Sequence, residues 1–168
     1  QVGDILRFAM KNIDIIHGVN FQPVSFSGRT PHEEVEKQRI TIPDFINLVD
    51  EQTNHDIIPD DFYPPSFVQP ISRFAGALQG SEPPVYLNCH EHCGVGTYAF
   101  LQGDEVIPVT RFIDVEKLMD LLSKYADELE EGGFGKQKRV IAKAIKNVPN
   151  VVDSDKTPDI LSMKKILL

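Results

Sequence analysis

Apolar residues at Val2, Ile5, Leu6 and Ala9 fall on one face of a helix and predict that element over residues 3–12. The rhythm then changes. Residues 15–26, rich in β-branched and aromatic side chains and carrying Gly18, read as a strand, and a helix feeding a strand marks an α/β protein. Thr41 caps a second helix over 42–51, where Ile42, Phe45, Ile46 and Val49 form an apolar stripe that core packing explains. Residues 57–69 are a Pro-rich, partly acidic connection with room for one short turn at 59–62. Irregular connections of that length are uncommon unless they are functional or mobile. A short helix over 70–78 ends at Gly80.

In the second half, residues 84–87 and 97–102 read as strands. Gly103-Asp104-Glu105 turns the chain into a third run at 106–112, which predicts an antiparallel hairpin. Asp114 caps a helix over 115–130 that turns Leu118, Leu121, Leu122, Tyr125 and Leu129 inward and stops at Gly132-Gly133. A helix over 136–147 presents Val140, Ile141, Ala144 and Ile145, and the Glu128, Glu130 and Glu131 cluster reads as solvated surface. Thr157 and Pro158 open a last helix that runs to Leu168 without a stop signal. The chain also starts inside a helical pattern without an initiator Met, so both ends read as cut and the expectation is an internal piece of a longer protein. There is no internal repeat and no low-complexity tract.

A chain of 168 residues with 41% hydrophobic content suffices for one ordinary core. A formal net charge of -8 disfavours nonspecific binding to nucleic acid or an anionic membrane, because phosphate-rich partners are normally met by a basic face. No run approaches the roughly 20 apolar residues of a membrane span, and no signal peptide is visible, so the expected location is the cytoplasm. The two cysteines, Cys89 and Cys93, are too close for a secreted-type disulfide framework, which favours reduced thiols.

Four stretches could carry chemistry. In Cys89-His90-Glu91-His92-Cys93, thiolates and imidazoles suit zinc or iron, and cysteine is the usual ligand of iron–sulfur clusters. C-x3-C supplies only half a site. The plain alternative is a buried free cysteine beside a hydrogen-bonded histidine pair. In segment 18–29, Asn20, Gln22, Ser25, Ser27 and Arg29 interrupt a β-like run where Pro23 forbids a ladder hydrogen bond; α/β folds place ligand contacts in such positions, and a strand with one wet face reads equally well. "FYPPSFVQPISRF" offers Tyr63, Gln69, Ser72 and Arg73, and Thr110-Arg111 leaves the hairpin. A G-x-S-x-G elbow, a P-loop and an H-E-x-x-H helix are all missing from the sequence. A nucleophilic Cys93 with His17, His32 or His55 as base is formally possible and has no local support.

The ordered set "IHGVNFQPVSFSGR", "RITIPDFINLVDEQT", "DFYPPSFVQPIS", "HEHCGVGTYAF" and "IPVTRFIDVEKL" resembles the archaeal tetraether lipid synthase family of radical S-adenosylmethionine enzymes. The resemblance implies an α/β fold: residues 1–82 as late strands and helices of a partial TIM-like barrel, and residues 83–168 as an auxiliary metal-centre region of hairpin and helices. The C-x3-C-x2-C motif that holds the family's catalytic [4Fe-4S] cluster is absent from these residues. By the resemblance, Cys93 is an auxiliary-cluster ligand, Cys89 a weaker candidate, and His90 and His92 tune the cluster through hydrogen bonds. Gly18, Asn20, Gln22, Ser25 and Arg29 would face S-adenosylmethionine or the substrate. Phe21, Phe26, Phe62 and Phe67 would line a groove for a long lipid, with core packing as the alternative.

The implied reaction joins unactivated carbons of isoprenoid diether lipids into tetraether lipid through a 5'-deoxyadenosyl radical. Its implied partners are a lipid or small-molecule substrate and a reductant protein such as ferredoxin or flavodoxin, with peripheral contact at the inner membrane surface. Two rivals stay open: a radical enzyme that methylates or otherwise alters a pterin-like small molecule, and a non-catalytic metal-binding or interaction module.

Overall fold

The computed structural model describes residues 1–86, 90–132 and 135–161. The chain is mixed α/β and mostly helical, and it divides into two compact units, Gln1–Phe62 and Tyr63–Leu168.

The first unit is built from α1 (Val2–Lys11), α2 (His32–Gln38) and α3 (Ile42–Gln52), followed by a 3₁₀ turn at Pro59–Asp61. Thr41 starts α3 as expected. Its hydroxyl accepts from the Asp44 amide at 3.3 Å, while the Asp44 carboxylate accepts from the Thr41 amide at 2.9 Å and hydroxyl at 2.6 Å, a reciprocal capping box. α1 and α3 pack closely because Gly3 has no side chain: a Cβ there would lie 2.7 Å from both Cβ and the carbonyl oxygen of Gln52. The Gly3 amide instead donates to Gln52 Oε1 at 2.8 Å, and Arg7 donates to the Gln52 carbonyl at 2.8 Å. Ala9, Val49 and Ile57 form the buried apolar centre of this unit.

The second unit holds α4 (Gln69–Gln79), the hairpin β1 (Ala99–Gln102) and β2 (Glu105–Pro108), α5 (Val115–Glu130) and α6 (Lys136–Asn147). The strands are antiparallel, with Phe100 opposite Ile107 and Gln102 opposite Glu105 across the Gly103-Asp104 turn. α5 is the central element. It buries Val115, Met119, Leu122, Tyr125 and Ala126, close to the face read from the periodicity, with the stripe rotated to include Met119 and Ala126. α4 packs on α5, where Phe74 meets Tyr125 with ring centroids 6.3 Å apart; α6 adds the fully buried Val140, and its Asn147 donates to the Tyr125 hydroxyl at 2.7 Å. Gly76 lets the chain at Glu82 and Pro83 lie directly on α4, since a Cβ there would fall 2.8–2.9 Å from their backbone atoms. Phe112 sits edge-on to Phe100 at 5.6 Å, and a bridge pairs Ile113 with Val152.

The barrel expectation is corrected. The sheet is a two-stranded open hairpin, and no TIM barrel is present among the described residues. Residues 15–26 form no strand: between His17 and Arg29 no backbone amide donates a hydrogen bond among the described residues. A β-like sequence becomes a strand only when a neighbour supplies the ladder, and Pro23 lacks the N–H besides. Residues 84–86 are likewise not in a strand, and the second strand is shorter than 106–112 because Val109–Arg111 closes into a 3₁₀ turn. The helix α2 was not anticipated. At the far end Asp159–Leu161 is a 3₁₀ turn, and the remainder of the helix expected after Thr157, like Leu87 and Gly133, lies outside the described residues. No helix among the described residues is long and apolar enough to cross a membrane.

Candidate functional site

The Pro-rich stretch after Phe62 builds the most articulated surface of the second unit. Pro64 is extended backbone ahead of a 3₁₀ turn at Pro65–Val68, which Pro65 opens and which runs directly into α4. Phe67 on that turn stacks on Tyr63, with ring centroids 4.5 Å apart and planes 23° apart. Facing this turn is α5, and between them lies an open cleft of about 300 Å³. Pro64, Ser66, Phe67 and Pro70 line one side; Met119, Asp120 and Ser123 line the other. The Asp120 carboxylate makes no hydrogen bond or ion pair among the described residues.

The Cys93 loop borders this cleft. Tyr63 and Gly96 exchange two backbone hydrogen bonds of 2.9 Å, and a Cβ at Gly94 would touch Pro65 Cγ at 3.9 Å. A 3₁₀ turn at Glu91–Cys93 starts from His90, whose Nδ1 accepts from the His92 amide at 3.2 Å; the two imidazoles lie 4.8 Å apart, centroid to centroid. Cys93 is a free, exposed thiol, so the buried-cysteine alternative does not hold for it. Among the described residues no group of three or more His, Cys, Asp or Glu is placed to hold a metal ion. Among the described residues this loop presents one thiolate, that of Cys93, and one ring nitrogen of His90 is engaged with the backbone. Cys89 lies outside the described residues.

In the first unit Gly18, Asn20, Gln22, Ser25 and Arg29 are all exposed on the segment without amide hydrogen bonds. The side chains of Asn20, Gln22, Ser25 and Arg29 make no hydrogen bond among the described residues. They form one accessible polar ribbon rather than an enclosed pocket. Phe21 packs on Phe45, with centroids 5.0 Å apart, and both rings are half-buried.

Several residues that looked chemical are structural. Arg73 forks onto α5, with Nε donating to Glu130 at 2.8 Å and Nη2 reaching Asp127 at 2.7 Å. Those bonds, Glu130 first, raise the guanidinium's already high pKa further. Ser72 donates to the Val85 carbonyl at 2.7 Å and accepts from the Val85 amide at 2.9 Å, tying the returning chain to α4. Glu128 pairs with Lys143 at 2.6 Å and Glu131 with Lys136 at 3.1 Å, as expected of solvated surface. Thr110 and Arg111 line a larger cleft of about 480 Å³ with residues 112–114 and 150–153. Its carboxylates are already engaged: Asp153 pairs with Lys156 at 3.1 Å, and Asp114 caps α5 and pairs with Lys117. We therefore regard the smaller cleft, with its uncommitted carboxylate, as the candidate site. Sequence reasoning reached one of its walls through the Pro-rich stretch and missed Asp120 and Ser123. The available signal was a lone acid beside Met119 on the border of the α5 apolar stripe.

No protein-family model matches the chain. The chain is similar to the 7,8-dihydro-6-hydroxymethylpterin dimethyltransferase of Methanocaldococcus jannaschii, at 42% identity over 170 aligned residues. The match covers 99% of this chain and 33% of that protein, so the chain spans about a third of the length of the curated relative. This overturns the resemblance to tetraether lipid synthases, and the lipid-joining reaction and lipid substrate drawn from it fall as well. What the chain resembles, from one end to the other, is part of a pterin dimethyltransferase.

Proposed function

We propose that the chain is part of an enzyme that methylates a pterin-like small molecule with S-adenosylmethionine as methyl donor. The observation that carries this reading is the 42% identity, sustained over 99% of the chain, to a protein named for that reaction. Identity spread over the whole chain argues for a shared fold and a shared ligand set better than a single motif does. In this reading Gly18, Asn20, Gln22, Ser25 and Arg29 contact S-adenosylmethionine: their polar groups are exposed and uncommitted, as a ligand-facing ribbon requires. A finer form of the proposal has the methyl group reach an unactivated carbon by a radical route, which leaves a different by-product from direct transfer.

The gene-length protein is incubated with methyl-labelled S-adenosylmethionine and 7,8-dihydro-6-hydroxymethylpterin, and the products are separated by mass. The expected result is label on the pterin, with the mass gain of one or two methyl groups replacing hydrogen. Formation of 5'-deoxyadenosine alongside supports the radical route, whereas S-adenosylhomocysteine alone supports direct transfer. No label on any pterin, in protein that binds S-adenosylmethionine, overturns the proposal.

A further inference from the structure

We infer that the cleft between the Pro64–Pro70 wall and α5 receives the pterin ring itself, with Asp120 reading the ring's 2-amino edge and Phe67 covering one face. The inference rests on the proposed pterin reaction and adds to it the place and chemistry of recognition.

The shape of the ligand sets the requirements. A pterin is a flat bicycle whose pyrimidine half carries an exocyclic amino group beside a ring N–H. These two parallel donors match the two oxygens of one carboxylate, the same fork that makes Arg–carboxylate pairs strong. Its faces are polarisable π surfaces, which favour an aromatic or thioether neighbour. A site for it needs one free carboxylate, one aromatic wall and little else that is charged.

The cleft meets each requirement with residues already described. Asp120 stands on α5 with its carboxylate uncommitted, although Lys117 and Lys124 lie on the same helix. Phe67 is held in plane by its stack on Tyr63 and cannot turn freely away from the cleft. Met119 is only 7% exposed and closes the cleft from below with a sulfur-bearing chain. Ser66 and Ser123 supply hydroxyls that can donate to the 4-oxo group or accept from a ring N–H. A volume of about 300 Å³ sits at the small end of ligand pockets, which suits one bicycle. The larger cleft beside Arg111 has only the nearly fully buried, edge-on Phe112 as an aromatic lining residue, and its carboxylates Asp114 and Asp153 are already paired.

The test measures binding separately from turnover. Fluorescent 6-hydroxymethylpterin is titrated into the gene-length protein, its Asp120→Asn and Phe67→Leu variants, and in parallel lumazine, in which an oxo group replaces the 2-amino donor. Asp120→Asn keeps the shape and replaces the second acceptor with an N–H donor, so pterin binding is expected to weaken about tenfold to a hundredfold, while lumazine, whose 2-oxo group accepts from that N–H, is expected to bind more tightly. Phe67→Leu is expected to weaken both ligands and reduce the quenching that stacking produces. Pterin binding and labelling at wild-type strength in Asp120→Asn would place the ring elsewhere and leave the proposed reaction standing. Failure of the unaltered protein to bind or methylate any pterin would remove the reaction and this site together.

Discussion

At the scale of single residues, close approach matters more than conformational freedom. Gly76 is the sharpest case, because the three nearest atoms a Cβ would meet there are backbone atoms of Glu82 and Pro83 and cannot swing aside. Gly76→Ala is therefore expected to destabilise the second unit by about 1–3 kcal/mol, as overpacking does, read as a lower denaturation midpoint with unchanged slope. A neutral result would mean that the chain at 82–83 is not seated on α4. The same contact explains what the sequence could not reveal about Ser72 and Arg73. Both looked like ligand contacts, yet one tethers the returning chain and the other clamps α4 to Asp127 and Glu130. Their partners are distant in sequence, so no local pattern could tell a tether from a binding group.

At the scale of elements, legibility followed how local the stabilising forces are. α5 and α6 have the bounds expected from apolar spacing, and α5 from its Asp114 cap, because caps and helical faces are written within a few residues. α2 escaped because His32–Gln38 carries a single apolar residue, Val35, and gives periodicity nothing to detect. The strand expected at 15–26 failed for the opposite reason: its composition is β-like, but a ladder is a property of two segments. α3 also carries a pH dependence. Asp44 is held below the ordinary carboxylate range, first by the Thr41 hydroxyl and then by its amide, while Arg39 adds a small attraction. The folded helix start therefore binds a proton less readily than the unfolded chain. Its contribution is complete above the ordinary carboxylate value of about 4 and is lost as pH falls through the lowered folded value. Amides at the start of α3 are expected to lose protection in that window, and Thr41→Ala is expected to cost about 1 kcal/mol at neutral pH and to flatten the acid response. An unchanged acid response in Thr41→Ala would refute the capping-box origin.

At the scale of the whole molecule, the two units differ in how much they bury. The second centres on α5, with Ala126 and Val140 fully buried and Tyr125 nearly so; the first has a smaller apolar centre and a long segment of free amides. Native-state hydrogen exchange should therefore be slowest in α5 around Leu122–Ala126 and fastest over residues 17–29. Strong protection across 17–29 would instead mean that those amides are paired in solution. The α/β character was readable, whereas barrel closure was inferred from a resemblance and did not appear. The candidate cleft was half readable, because a Pro-rich stretch announces itself and an acid from a distant helix does not. The paired hydrogen bonds between Tyr63 and Gly96 close the intervening chain into a loop whose two ends coincide. The part of it seated on α4 through Gly76 and Ser72 has no room to lengthen, so among related sequences residues 82–85 and the joints at 63 and 96 should keep their spacing to the hairpin.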